Sequence, residues 1–335
     1  MSYLVTILPR RLFLNVEDHE TILEAAQTHG VTFPYGCDAG ACYVCAGALE
    51  SGSVHLRIEE RNITAGEEDA DDVLFCLAQP TSDCRIIMEG VLAPGEYPMI
   101  NASCQVTQVT PFGNDTVEVT LRLPAGKKVE FHPGQYLQVI LDKDTHCAFS
   151  IGNIPNQERI IQLYVGFSDK DETSHRLREA FTVGNVVNID LPHGRCYLQD
   201  TKSTQPLYLI AGSTGISQIK SIAEQCIADQ LPRDVHIYWG VPAANGLFLD
   251  RYFQRIANDN DHVHYTAVVS EPDDEWQGRT GFVHKAMLED TTGLENAEII
   301  LCGSPGMTYA VLDDLLAQGV KEEQVQSDVF EYAPR

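Results

Sequence analysis

Residues 36–45 read Gly36-Cys37-Asp38-Ala39-Gly40-Ala41-Cys42-Tyr43-Val44-Cys45, three thiols in C-x4-C-x2-C spacing, and a fourth follows far downstream in Phe75-Cys76-Leu77. A [2Fe–2S] cluster takes four thiolates, and one known arrangement draws three from a single loop and the last from a distant segment. The small residues Gly36, Ala39, Gly40 and Ala41 suit a backbone that must curl round the metal and bring its N–H groups close to sulfur. Two other uses of four cysteines compete with this one. Structural zinc sites pair their ligands in two short knuckles, and no second knuckle surrounds Cys76. Inert buried thiols would need no spacing at all. Ligand spacing therefore favours the cluster, with Cys37, Cys42, Cys45 and Cys76 as its ligands and one-electron transfer as its chemistry.

The chain around this loop runs to 335 residues, enough for two or three domains, and its 44% hydrophobic content supports cores of ordinary size. No stretch approaches the ~20 apolar residues of a membrane span. The start, Met1-Ser-Tyr-Leu-Val-Thr6, lacks the basic and apolar regions of a signal peptide. Cys84, Cys104, Cys147, Cys196, Cys226 and Cys302 are spread too widely for a disulfide framework. Unpaired thiols and thiolate ligation together predict a reducing, cytoplasmic setting. A net charge of −25 argues against nucleic acid or an anionic membrane as partner. Residues 1–99 carry 16 Asp and Glu against 5 Lys and Arg, so the acidity is densest around the cluster. That excess suits either plain solubility or an acidic face that docks a basic redox protein, and runs such as Glu67–Asp72 are usually solvated loops.

Three patterns succeed one another along the chain. Residues 1–92 predict a β-grasp module. Its parts are strands Leu4–Leu8 and Leu12–Val16, a helix Ile22–His29, the metal loop, and late strands including Cys84–Glu89. Thr21 and Glu24 form a capping-box pair at the helix start, and Gly30 is its stop. Ala93–Pro98, rich in Pro and Gly, reads as a linker. Residues 102–200 predict an antiparallel β-barrel with strands Gln105–Val109, Thr116–Leu123, Gln135–Leu141, Ile160–Val165 and Val186–Leu191, interrupted by a helix over Ser174–Phe181. Residues 206–335 alternate strand and helix, which predicts a parallel sheet covered on both faces. The strands are Leu207–Ala211, His236–Trp239, Tyr265–Val269 and Glu298–Leu301. The helices are Ser217–Gln230, Leu247–Ala257, Val283–Leu288 and Met307–Gln318, and Val325–Phe330 closes the unit. The expected fold class is multidomain, α+β and α/β.

Two loops of the last unit fall at the carboxyl ends of strands, where open parallel sheets bind ligands. In Ala211-Gly212-Ser213-Thr214-Gly215-Ile216 an apolar strand turns into a helix, whose first N–H groups can hold a pyrophosphate. Leu301-Cys302-Gly303-Ser304-Pro305-Gly306-Met307 is the second loop. A G-x-x-G turn is weak evidence alone, since a plain strand–helix connection accounts for it equally well, and Cys302 alone reads as a small buried residue. In the barrel unit His132-Pro133-Gly134-Gln135-Tyr136-Leu137 and Cys147-Ala148-Phe149-Ser150-Ile151 stand out, with Phe149 and Ser150 facing opposite ways on a strand. Taken singly, these two read as a core aromatic and an edge serine.

Across nearly its whole length the chain resembles known families. Residues 1–90 are similar to plant-type [2Fe–2S] ferredoxin domains, and residues 102–335 to the ferredoxin–NADP reductase superfamily, most closely its NAD(P)H:flavin oxidoreductase branch. The resemblance rests on Pro133–Tyr136, Phe149-Ser150, Leu191–Gly194, Leu209–Ser217, Ile237–Gly240, Gly278–Gly281 and Cys302-Gly303. It implies an NAD(P)H-dependent iron–sulfur flavoprotein reductase that serves an electron-accepting protein, an oxygenase or a deoxysugar dehydrase component. The alternative it leaves open is a flavin reductase that releases reduced flavin, with the ferredoxin domain accessory. By the same resemblance Pro133, Gly134, Gln135 and Tyr136 would frame the flavin (FAD, with FMN possible), and Phe149 would flank its ring. Ser150 would sit near flavin N5, and Gly212, Ser213, Thr214 and Gly215 would hold the nicotinamide cofactor. Cys302 would lie over the nicotinamide–flavin contact, with Gly303 permitting close approach.

Three departures from the family pattern bear on function. The family's Arg-x-Tyr/Phe-Ser motif reads Cys147-Ala148-Phe149-Ser150 here, so the arginine for the flavin phosphate is missing. Flavin would then be held more weakly, or through His146, His175 or Arg176. Gln218 stands where many relatives have proline, a substitution that reads as minor. Val241-Pro242-Ala243-Ala244-Asn245 offers no basic residue for a 2′-phosphate, which favours NADH over NADPH.

Overall fold

The computed structural model describes every residue except 113, 114, 129, 169 and 292. The chain divides into two compact units, Met1–Pro98 and Met99–Arg335.

In the first unit, alternating side chains pin two strands to one core. Along β1 (Ser2–Leu8) Val5 and Ile7 are buried, and along β2 (Leu12–Glu17) Leu14 and Val16. Helix α1 (Ile22–Thr28) begins as its sequence predicts. Thr21 Oγ1 accepts the Glu24 N–H at 3.2 Å, and Glu24 Oε2 accepts the Thr21 N–H at 2.9 Å. Gly30 ends it in a left-handed conformation, φ 73°. After the metal loop come β3 (Ala46–Ser51), β4 (Ser53–Leu56), β5 (Arg61–Thr64), β6 (Val73–Leu74), β7 (Ala78–Pro80) and β8 (Cys84–Ile87). The main sheet has the order β2-β1-β8-β3-β6, with β1 and β8 parallel, and β5-β4-β7 form a second small sheet. One helix on a mixed sheet is the β-grasp arrangement.

Phe75 is the centre of this unit. It is fully buried, its N–H donates to Cys45 O at 3.2 Å, and its carbonyl accepts the Leu23 N–H at 3.1 Å. A side chain at Gly47 would lie 2.6 Å from its ring. Strand, helix and metal loop are thereby tied to the residue that precedes Cys76.

The second unit begins with six strands: β9 (Ile100–Phe112), β10 (Thr116–Arg122), β11 (Tyr136–Ile140), β12 (His146–Ser150), β13 (Ile160–Gly166) and β14 (Val186–His193). Their order is β12-β11-β14-β9-β10-β13, every pair antiparallel, and a bridge between Ile151 and Leu163 joins the two outer strands into a barrel. Helix α2 (Glu172–Ala180), capped by Asp171, crosses between β13 and β14. The parallel sheet follows, in the order β18-β17-β16-β15-β19-β20. Its strands are β15 (Leu207–Gly212), β16 (Val235–Val241), β17 (Val263–Val269), β18 (Arg279–Thr280), β19 (Glu298–Cys302) and β20 (Val325–Gln326). Its helices are α3 (Ile216–Ala228), α4 (Asp250–Asp259), α5 (Val283–Asp290), α6 (Pro305–Ala317) and α7 (Val329–Tyr332).

Three segments differ from the sequence reading. The closing segment Val325–Phe330 is not one element: β20 stops at Gln326, and Asp328, spent on side-chain hydrogen bonds elsewhere, leads into α7. Helix α4 starts at Asp250 and not at Leu247, because residues 244–246 form a separate tight turn. The strand β12, absent from the expected list, carries Phe149 and Ser150. Among the described residues, no helix is long and apolar enough to cross a membrane.

Replacement of Thr21 by Ala removes one half of the capping box from a wholly buried position. The expected cost is about 1 kcal/mol, measured as a lower urea midpoint of the Met1–Pro98 transition with an unchanged slope.

Candidate cluster loop and nucleotide crevice

The metal loop is shaped by glycine. Gly40 has φ 73°, and a side chain there would meet Leu77 at 2.7 Å. Its backbone turns inward on sulfur: the Cys42 N–H donates to Cys37 Sγ at 3.4 Å. The Ala39 N–H is the strongest of several donors that lower the Cys37 thiol to about 7; the Cys42 thiol and the N–H groups of Cys42 and Ala41 add to it. Burial pushes Cys76 up to about 12, helped by its hydrogen bond with the Cys45 thiol. The thiols thus form two pairs, Cys37 with Cys42 and Cys45 with Cys76, and the charge on Cys37 reaches Cys76. Among the described residues, no three Cys, His, Asp or Glu side chains converge on one metal position. Four thiols arranged in two pairs could hold a [2Fe–2S] cluster, which takes four thiolates. The donor set fits that group. Cys45 and Cys76 are buried, whereas Cys42 and the neighbouring Tyr43 and Val44 are exposed.

In the second unit a cavity of about 1290 Å³ opens between the barrel and the carboxyl ends of the parallel strands. Its wall includes Tyr136, Phe149, Ser150, Gly212, Ser213, Thr214, Gly215, Cys302 and Gly303, so nine of the residues expected at the flavin and nicotinamide sites come together. Pro133, Gly134 and Gln135 do not line it. They buttress it: Gln135 accepts the His132 N–H at 2.7 Å and donates to Gly194 O at 2.9 Å, while Gly134 (φ 108°) lies where a side chain would meet Cys196 O at 2.4 Å.

The closest approach in the crevice is between its two loops. A side chain on Gly215 would fall 2.4 Å from the Cys302 carbonyl and 3.0 Å from its sulfur. Ser213 turns the chain through the left-handed region, φ 48°, and Trp239 Nε1 holds its carbonyl at 2.8 Å. The Ser150 hydroxyl is near enough to the Cys302 thiol to oppose the effect of burial on it. Burial pushes this thiol up to about 12, with the Asp328 charge acting the same way, so it stays protonated at neutral pH. Met307 fills the space over Gly212 and Gly303, whose side chains would have collided with its sulfur at 2.3 and 2.6 Å. Phe149 packs edge-on against Phe181, and Tyr136 stacks on His193.

Several wall residues carried no sequence signal. Tyr164 reaches the cavity from β13, and Asp328 and Tyr332 from the cap and the end of α7. Burial raises the Asp328 carboxyl to about 6, against hydrogen bonds from the Arg195 and Cys196 N–H groups and Gln218. Gln218 is not the minor substitution its position suggested. Its buried amide donates to Gly134 O at 2.6 Å, Asp328 Oδ2 at 3.1 Å and Cys196 O at 3.3 Å, bonds that a proline could not make.

On β12, half-buried Cys147 has the Arg176 guanidinium near enough to oppose the upward effect of burial on its thiol. Arg176 is already engaged: it donates to Asp142 Oδ2 at 2.6 Å and Thr145 Oγ1 at 3.4 Å, and it holds the Asp142 carboxyl at about 2. His146 is exposed and bonded to Gln138 at 3.1 Å. His175, the third alternative, lies within α2 and also has a partner. The cavity with Phe149, Ser150 and Tyr136 in its wall fits an isoalloxazine, while Cys147 is outside the wall and packs against the barrel core.

Comparison with known proteins gives two family matches: a 2Fe-2S iron-sulfur cluster binding domain over residues 5–81, and an oxidoreductase NAD-binding domain over residues 209–313. The chain is 30% identical over 336 residues to the CDP-6-deoxy-L-threo-D-glycero-4-hexulose-3-dehydrase reductase of Yersinia pestis, covering 98% of this chain and 99% of that one. A probable flavin reductase of Photobacterium leiognathi is 34% identical over 234 residues, 69% of this chain and 98% of its own. Among solved structures, the Amycolatopsis cytochrome P450 reductase GcoB matches with a TM-score of 0.68 at 24% identity, covering 97% of this chain and 98% of that one.

Two outcomes follow from these sites. Cys42→Ser should abolish the visible absorption and inorganic sulfide of the purified protein while its second unit keeps its thermal transition; a colourless wild type with bound zinc would contradict the assignment. Cys147→Arg should tighten flavin by about one to two decades in dissociation constant, the worth of one charge-assisted contact of roughly 1.5–3 kcal/mol. Flavin retention through gel filtration checks it. Stoichiometric retention by wild type, with no gain in the variant, would show that another group holds the phosphate.

Proposed function

The chain belongs to the family of iron–sulfur flavoprotein reductases that join a 2Fe-2S domain to an oxidoreductase NAD-binding domain, and we propose which of its residues carry the transfer and where the electrons leave. It is an NAD(P)H-dependent oxidoreductase whose electrons pass by way of flavin and the [2Fe–2S] cluster to a partner protein. When bound, flavin takes two electrons as hydride and gives them up singly, which makes it the needed link between nicotinamide and a one-electron cluster.

The proposed ligands of the cluster are Cys37, Cys42, Cys45 and Cys76. In the crevice, Ser150 and Cys302 are the residues that meet the reacting atoms, and the observation that carries this is their shared place in the cavity wall, Ser150 from the barrel and Cys302 from the parallel sheet. A protonated thiol is suited to donating a hydrogen bond and to packing against a flat ring, and unsuited to nucleophilic attack. Phe149 flanks the ring from the barrel side. Gly212, Ser213, Thr214 and Gly215 hold the nicotinamide cofactor, with the N–H groups at the head of α3 directed to its pyrophosphate. Pro133, Gly134, Gln135 and Tyr136 frame the flavin, the first three from behind.

NADH is the proposed donor. Ala243, Ala244 and Asn245 offer no cation after β16, and Lys285, which lines the cavity, is already paired with Asp314 at 2.5 Å. The proposed acceptor is a deoxysugar dehydrase or an oxygenase component. Similarity over the full length to a dehydrase reductase supports the first, and the acid-rich first unit suits a basic docking face on either. Free thiols throughout suit a cytoplasmic setting. A second reading, release of reduced flavin, draws on Cys147 and on the flavin-reductase relative.

Ser150→Ala and Cys302→Ala should each lower the limiting rate of flavin reduction in anaerobic stopped flow, with the nicotinamide dissociation constant nearly unchanged, because groups that orient the reacting atoms act mainly in the transition state. A misplacement of about 1 Å costs on the order of a hundredfold. Wild-type rates with lowered thermal stability would make both residues packing only.

A further inference from the structure

Helix α3 begins where the nucleotide turn ends, and its first two turns are buried yet polar. Ser217, Gln218, Lys220 and Ser221 are 2%, 2%, 4% and 0% exposed. A buried ammonium costs several kcal/mol unless it is fully bonded, and a helix needing only to pack would carry leucine there. Each of these side chains bonds instead to the backbone of the barrel. Ser217 Oγ donates to Ser150 O at 2.9 Å, and Lys220 Nζ to Gly152 O at 2.7 Å. Ser221 Oγ accepts the Gly134 N–H at 2.9 Å, and Gln218 donates to Gly134 O. Lys220 is neutralised by Glu224 at 2.6 Å, which also accepts from Tyr252 at 2.8 Å. Gly152 permits the close approach: a side chain there would lie 3.0 Å from Ser217 Oγ and 2.8 Å from Tyr164.

We propose that Ser217 and Lys220 are positioning residues for hydride transfer, gripping the carbonyls on either side of Ile151 so that one rigid helix sets both the nucleotide turn and the strand that presents Ser150. The inference rests on the reading of Ser150 as a residue that meets the reacting atoms. The head of α3 lies against Gly215, and Gly215 lies against Cys302. Donor turn, Cys302 and Ser150 are therefore fixed by the same helix, and a loosened grip would let the 150–152 backbone drift without emptying either binding site.

The test uses the full chain as Ser217→Ala, Lys220→Met and Lys220→Arg, with Ser150→Ala in parallel. Without added flavin, hydrogen exchange of the peptide spanning residues 147–153 should speed up by about tenfold or more in Ser217→Ala and Lys220→Met, the signature of local opening. With FAD supplied, their limiting reduction rates should fall by roughly tenfold to a hundredfold with nicotinamide affinity held within about threefold, and Lys220→Arg should recover most of the loss. Unchanged exchange and unchanged rates, with only a lower melting temperature, would reduce the four bonds to domain adhesion and overturn the proposal. A loss confined to flavin or nicotinamide affinity would overturn it equally. If Ser150→Ala alone reduces flavin at the wild-type rate while Ser217→Ala is slow, the role given to Ser150 fails and the grip on the strand stands.

Discussion

The crevice of this protein depends on one close approach, the backbone of Gly215 against the carbonyl of Cys302. A side chain on Gly215 would fall 2.4 Å from that carbonyl, so the loop after β15 can meet the loop after β19 only because it has none at this position. That meeting does three things together. It turns the head of α3 toward the crevice, brings Cys302 to the Ser150 side chain, and draws barrel and parallel sheet into a shared wall. Ser213, in a left-handed turn held by Trp239, and Met307, filling the space over Gly212 and Gly303, adapt the remaining backbone to it. Packed interiors do not deform continuously, so a site built this tightly is held in one geometry.

The cluster loop solves a different problem by similar means. A cluster needs thiolates, which burial opposes, and the loop answers with backbone N–H groups aimed at Cys37 and with glycine at the left-handed position of Gly40. Cys45 and Cys76 remain buried and paired, fixed by Phe75 through its bonds to Cys45 and Leu23. The exposed side carries Cys42, Tyr43 and Val44. One half of the proposed ligand set is thus anchored in the core, and the other lies nearer the surface.

Local features were legible in the sequence, and long-range ones were not. The thiol spacing, the Thr21–Glu24 capping box and the glycines of the nucleotide turn each encode their structure within ten residues. Strand β12 was obscured because His146 and Ala148 face out while Cys147, Phe149 and Ser150 are only partly buried, which gives no clear apolar alternation. The closing segment Val325–Phe330 reads as one stretch because Val325, Val329 and Phe330 are apolar, but Asp328 breaks it by bonding back to Arg195 and Cys196, more than 130 positions earlier. Gln218 reads as a minor change for the same reason. Its three acceptors come from three other segments, and nothing local announces them.

The central claim is that reducing equivalents from nicotinamide reach the iron–sulfur cluster within this chain. Anaerobic mixing of NADH with the flavin-loaded protein, freeze-quenched and followed by low-temperature electron paramagnetic resonance, tests it directly. A reduced-cluster signal should grow as the flavin absorption bleaches, approach the cluster content of the sample, and be missing from Cys42→Ser. Flavin that bleaches fully and leaves as a free reduced product, while the cluster stays oxidised, would contradict the account and establish flavin reduction as the activity of this protein.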